Sequence, residues 1–301
     1  MSGNPFLANA TAYDFQLKNK QKTYAIKGVG GLTYRRDGLA ETGYGASLGI
    51  SKIKGKFMFS IDQGLIDDQL EINDMGYMQR NNEVSTNLEL NYNISEPFGI
   101  FNFMHFGAEW EMMRVYNPWN LVGNEFKGEI IAEFRNNYFL GFFAGYGTPK
   151  NDYYEPHVKG RFFRDPGFAY VSGYISTDSK KAVIGEAELV VFDQLATSGY
   201  GSMLDSELSL RIGQRFRMEY DLNLENHVND YGFVDMTDDE DTIYFANRNV
   251  HAIENVLEGS FVLNNKMGIN LRARHYWSGA DNLVFYNLKN DGTLQINPDY
   301  S

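Results

Sequence analysis

Apolar and polar residues alternate one for one along most of this chain. From Val84 to Ile94, Val84, Thr86, Leu88, Leu90, Tyr92 and Ile94 fall on one face, and Ser85, Asn87, Glu89, Asn91 and Asn93 on the other. A period of two is the signature of a strand, because a helix would scatter these residues around its axis. The same pattern runs through Tyr44–Ser51, Glu125–Arg135, Leu204–Ile212, Arg215–Glu225 and Met267–Arg274. About fourteen segments follow it, over 8–18, 22–35, 42–54, 55–63, 82–94, 98–116, 124–135, 138–149, 168–178, 181–192, 202–212, 214–226, 249–264 and 266–278. Many are close to the ten or so residues a tilted strand needs to cross a bilayer.

Connection length sorts with parity. Turns after odd-numbered segments are short, as at Lys54-Gly55, Asn136-Asn137 and Gly213. Those after even-numbered segments are mostly longer: 64–81, 117–123, 150–167, 193–201, 227–248 and everything after 279. Short turns at one rim and long loops at the other describe a bacterial outer-membrane barrel. The expected fold is all-β, an antiparallel transmembrane β-barrel with about fourteen strands here and sixteen or more when complete, because an open edge cannot stand in lipid. Residues 1–301 read as a single outer-membrane β-barrel domain.

Composition agrees with that reading. The chain has 301 residues, a formal net charge of -12, and 15% aromatic residues, mostly Tyr and Phe. Mean hydropathy is on the polar side, as expected when half of each strand faces a polar interior. The acidic balance argues against nucleic acid as a partner. With no Cys, disulfide scaffolds, thiolate metal sites and Cys nucleophiles are excluded. The start, Met1-Ser2-Gly3-Asn4-Pro5, has neither a basic nor an apolar leader region, so a trimmed chain is expected, lacking some closing C-terminal strands.

Parity sends a set of charged residues to the interior: Glu109, Glu129, Glu133, Glu186, Glu188, Arg211, Arg215, Arg217, Glu219, Asp221, Arg272 and Arg274. The Arg members cluster late in the chain, which either sets a transverse field across a pore or fills the interior with ion pairs. Two loop sequences echo each other, Asn73-Asp74-Met75-Gly76-Tyr77 and Asn229-Asp230-Tyr231-Gly232-Phe233. A functional reading makes them surface sites for a glycan or partner through Asn73, Asp74, Gly76, Tyr77, Asp230 and Gly232, but the structural one is preferred. The structural alternative is a loop folded around a positive-φ Gly. Asp238, Asp239 and Asp241 lie in an acidic run without the spacing of an EF-hand, so a solvated loop tip is preferred to a metal site. The five His residues show no ligand spacing, and no Ser–His–acid arrangement is demanded by the spacing. No cofactor is expected.

Several connections carry a family resemblance. They are Gly3-Asn4-Pro5-Phe6-Leu7-Ala8-Asn9, the segment Glu71–Asn82, Glu96-Pro97-Phe98-Gly99, Tyr153-Tyr154-Glu155-Pro156, Gly160-Arg161-Phe162-Phe163, and Asn264-Asn265-Lys266-Met267 running to Arg274–Ser278. These resemble the C-terminal barrel of a Bacteroidota family of unknown function whose full-length members carry an N-terminal module similar to family-9 carbohydrate-binding modules. The resemblance implies a bacterial outer-membrane location and a link to carbohydrate, and no reaction. The expected role is non-enzymatic: a channel or membrane anchor associated with carbohydrate binding or uptake. The alternatives are a docking subunit of a larger outer-membrane assembly or a barrel hydrolase. The expected partners are outer-membrane lipid, and glycans or another outer-membrane protein.

Overall fold

The computed structural model describes residues 7–73, 78 and 80–300. These form strands β1 (Leu7–Lys18), β2 (Tyr24–Asp37), β3 (Leu39–Lys52), β4 (Phe57–Ile66), β5 (Glu83–Ile94), β6 (Phe101–Val115), β7 (Leu121–Phe134), β8 (Phe139–Gly147), β9 (Lys150–Asp152), β10 (Phe163–Asp165), β11 (Phe168–Ser176), β12 (Val183–Gln194), β13 (Tyr200–Ile212), β14 (Phe216–Met236), β15 (Ile243–Asn264), β16 (Met267–Leu288) and β17 (Leu294–Ile296). Among the described residues no helix is long and apolar enough to cross a membrane. Fifteen strands join in chain order into one antiparallel sheet, and β9 and β10 pair with each other. The strand order is open, from β1 to β17, so the described residues show no closed barrel.

By contacts the chain divides into two compact units, Met1–Asn93 with Gly107–Lys127, and Ile94–Phe106 with Gly128–Ser301. Each of the fourteen expected segments coincides with one strand, and β9, β10 and β17, of three residues each, are additional. The main departure is length. β14, β15 and β16 have 21, 22 and 22 residues, so most of the expected 227–248 loop is paired strand with a turn only over 237–242. Register shifts between His227 and Asp230 and between Phe233 and Asp235 let the ladder continue past its irregular sequence. At about 3.3 Å per residue, β14 is roughly 70 Å long, far more than a bilayer's apolar layer spans. The sorting of loop lengths is correspondingly weaker than expected: only 67–82 and 148–167 are long connections.

In both units one sheet face is apolar and uncovered. In the first, Tyr13, Leu17, Leu32, Leu48 and Ile61 stand exposed on alternate positions. In the second, Phe142, Val171, Leu189, Leu208 and Leu271 do the same. Leu189 is 51% exposed although it lies in the middle of a strand flanked on both sides, so no second layer covers this face. The polar face of β8 is instead packed by rings. The Tyr170 ring from β11 lies where a Cβ on Gly145 would stand, so only Gly fits opposite it.

The buried core sits at one end of the second unit. Ile243, Phe245, Leu288 and Phe163 form it, with Val158, Tyr231, Phe233, Tyr286 and Leu294 packed around. The extended ends of β14–β16 supply one side and the 150–167 connection the other. That connection is pinned by three backbone acceptances and donations: Glu155 Oε1 accepts the Phe233 N–H (2.8 Å), Arg161 Nη2 donates to Leu288 O (2.8 Å), and Arg164 N donates to Gly292 O (2.9 Å).

Candidate functional site

The polar face of the second unit is the best-formed candidate, and the register builds it. β12, β13 and β14 place Glu186 opposite Glu207 and Glu207 opposite Asp221. One step along, Glu188, Asp205, Asn223 and Glu254 stand in a second row across β12–β15. A cavity of about 420 Å³ opens over these rows, lined also by Tyr174 and Val256.

Neutral donors serve part of this acidic surface. Glu186 accepts from Tyr174 OH (2.8 Å) and Ser176 Oγ (3.1 Å), and Glu188 from Ser172 Oγ (2.5 Å). Three of the five expected arginines are taken up by ion pairing. Arg274 grips Glu254 with Nε and Nη2 (2.6 and 3.0 Å), Arg272 pairs with Glu258 (3.1 Å), and Arg217 bonds Glu219. On these strands the three arginines pair with carboxylates of their own face. Arg211, next to last in β13, lies opposite Arg217. Arg215 is corrected: it lies in the turn between β13 and β14, where its carbonyl accepts the Val262 N–H (2.8 Å).

The remaining charged candidates are hydrogen-bonded within their own units. Glu109 accepts from Asn87 Nδ2 (2.7 Å) in the first. In the second, Glu129 bonds His105 Nε2 (2.7 Å) and Glu133 accepts from Asn102 Nδ2 (3.2 Å).

The two Asn-Asp sequences differ in what can be said of them. Asp74, Gly76 and Tyr77 lie outside the described residues. Asn73 Oδ1 accepts the Met78 N–H (2.7 Å), a local brace. The second copy is a bulge within β14 rather than a surface loop. Its left-handed residue is Asn229 (φ 55°), not Gly232, which corrects the expectation that the glycine takes the positive φ. Asp230 ties three segments together: Gln194 Nε2 donates to it (3.0 Å) and Arg248 Nε lies 3.5 Å away. The Arg248 guanidinium rests on Gly232 where a Cβ would be. We therefore expect Gly232→Val to displace Arg248 and loosen the bulge, seen as faster amide exchange at Asn229–Phe233 with little change lower in β14.

At the turn beyond β14, Asp239 Oδ1 accepts from Thr237 Oγ1 (2.6 Å) and from the Asp241 N–H (3.3 Å). These bonds, the hydroxyl first, hold its carboxyl below the usual range. They use Asp239 to shape the turn, and among the described residues no three acidic or His groups converge for a metal. A carboxyl whose folded pKa is depressed stabilises above its unfolded value, near 3.9, and loses that contribution as pH falls through the folded one. Amide protection at Asp241 should accordingly hold above about pH 4 and decline below it, and Asp239→Asn should flatten that dependence.

A family model described as Domain of unknown function (DUF5916) matches residues 1–301. The chain belongs to this family. No curated protein and no solved structure matches it. The DUF5916 chain also carries polar groups on its apolar face. On the apolar face of β14–β16, Tyr220 OH donates to Asn255 Oδ1 (2.6 Å), and Asn255 Nδ2 lies 3.4 Å from His275 Nδ1. Parity alone puts Asn255 and His275 among the apolar positions, so the signal was present in the alternation.

Proposed function

We propose that this DUF5916 chain is the membrane-embedded part of a bacterial outer-membrane protein, a channel or anchor associated with carbohydrate binding or uptake. One observation carries the membrane reading: an apolar strand face left uncovered in both units, against an opposite face of paired charges. In water each exposed Leu or Phe forgoes about 1.5–3 kcal/mol of burial, and soluble monomers rarely leave large continuous apolar patches. In lipid the same face is at home. Lipid also forbids unpaired strand edges, so this reading requires the sheet to close into a barrel. The link to carbohydrate rests on the family resemblance.

The test is fractionation of full-length protein, followed by gel migration with and without boiling. Outer-membrane recovery and a heat-modifiable band are expected. A protein monodisperse in plain buffer without detergent would sink the reading.

A docking role in a larger assembly is favoured by the Tyr220–Asn255–His275 set, since polar side chains on a lipid-facing surface are costly and seek protein partners. Asn255→Leu with His275→Leu should then shrink the native particle in mild detergent. An unchanged particle size argues against docking through this face.

A further inference from the structure

We infer that the short-turn end of the first unit binds anionic phospholipid headgroups; this rests on the membrane reading above and names the lipid met at that end. Six lysines gather there in a chain whose net charge is -12. Lys18, Lys20 and Lys22 lie at the β1–β2 turn, and Lys52, Lys54 and Lys56 at the β3–β4 turn. The two turns are neighbours, because the Ile53 N–H donates to Thr23 O (2.8 Å). No Asp or Glu occurs in 15–36 or in 42–61, so no carboxylate on these stretches offsets the lysines. Among the described residues Lys18, Lys20, Lys22, Lys52 and Lys54 enter no ion pair. At the other end of the same strands both signs mix, and Arg35 is opposite Glu41. The basic surplus is therefore confined to the turns.

A second observation puts these charges at the limit of the apolar face. Leu17, Ile26, Ile50 and Ile61 stand opposite one another across β1–β4, and all four are exposed. Two residues nearer the turns, about 7 Å along the strands, the next row is Tyr24, Lys52 and Phe59. Lys52 Nζ lies 5.6 Å from the centre of the Phe57 ring and beside Gly55. Its stem thus runs from the apolar row toward the turn and delivers the ammonium to the charged end. A lysine at a membrane boundary keeps its head in the polar layer in this way. Tyr24 and Phe57, both exposed, are rings of the kind that girdle barrels at that depth. A free phosphate or an acidic protein would need only the lysines. A phospholipid uses both features, its phosphate on the ammonium groups and its acyl chains on the Leu17–Ile61 row.

The test is native mass spectrometry of the full-length protein in mild detergent, with equal amounts of phosphatidylglycerol and phosphatidylcholine of the same acyl chains. Preferential retention of phosphatidylglycerol is expected, against the repulsion that the acidic balance of this chain would otherwise impose. Each basic residue near an anionic lipid surface gives roughly a fivefold preference, so Lys54→Gln should lower the retention ratio by up to about fivefold. The Lys18→Gln, Lys20→Gln, Lys54→Gln triple variant should remove most of the preference. Lys18→Arg, Lys20→Arg, Lys54→Arg should keep it, because the charge is kept. Heat-modifiable migration confirms that each variant has folded. Equal retention of the two lipids, as from a rim that meets an acidic protein instead, overturns the inference and leaves the membrane reading standing. A preference unmoved in the folded glutamine variant does the same. A protein monodisperse in plain buffer overturns the membrane reading and the inference with it.

Discussion

If the chain is embedded as proposed, Leu189→Arg should destabilise it by about 2–4 kcal/mol and strip it from the outer-membrane fraction. Leu189 lies six residues beyond the start of β12 at Val183, roughly 15 Å up a tilted strand and thus near the middle of an apolar band about 25 Å tall. In the ladder it is opposite Leu204, which is opposite Leu224, and Leu224 is opposite Ile253, an apolar row across four strands. An Arg there has no partner in reach and must drag water or headgroups toward it. The control sits at the same depth on the other face. Asn223→Arg faces Asp205 and Glu254 across the ladders and should be tolerated to within about 1 kcal/mol. Urea unfolding of both variants in lipid vesicles measures the contrast. Equal effects from the two arginines would mean that the faces are not divided between lipid and water.

The division between faces was legible because a period of two needs no knowledge of neighbours. Each residue's parity sets its side, and all fourteen long strands follow from it. What parity does not carry is register. Parity puts Arg272 and Arg274 on one face together, yet their pairing with Glu258 and Glu254 depends on which rung of β15 meets which rung of β16. The upper halves of β14 and β15 were read as loop because 227–248 is rich in Asn and Asp, residues that favour turns. They are strands because Phe233, Ile243 and Phe245 find an apolar partner surface far away in sequence, at Val158 and Phe163. Local propensity loses to packing there, and a single sequence does not show which distant segment will supply it.

That packing sets the second large effect. Phe245→Ala should cost about 3–5 kcal/mol locally, the range for deleting a buried ring. Phe245 is fully buried, its ring centroid 5.0 Å from that of Phe163, with Ile243 and Leu288 closing the cluster. Its loss removes the apolar reason for the 150–167 connection to lie against the extended strands. The Arg161 side-chain bond to the Leu288 carbonyl and the Arg164–Gly292 backbone bond would remain, but they are worth only about 1.5–3 and about 0.5–1.5 kcal/mol net. The connection should therefore become sensitive to protease at Tyr153–Arg164, while the lower ladder of β14 and β15, from Phe216 with Phe261 to His227 with Val250, keeps its slow amide exchange. If the chain is embedded as proposed, the two halves of these strands owe their stability to different surroundings, the lower to lipid and paired charges, the upper to a small core in water. A variant that loosened both halves together would show instead that the long strands fold as one cooperative unit.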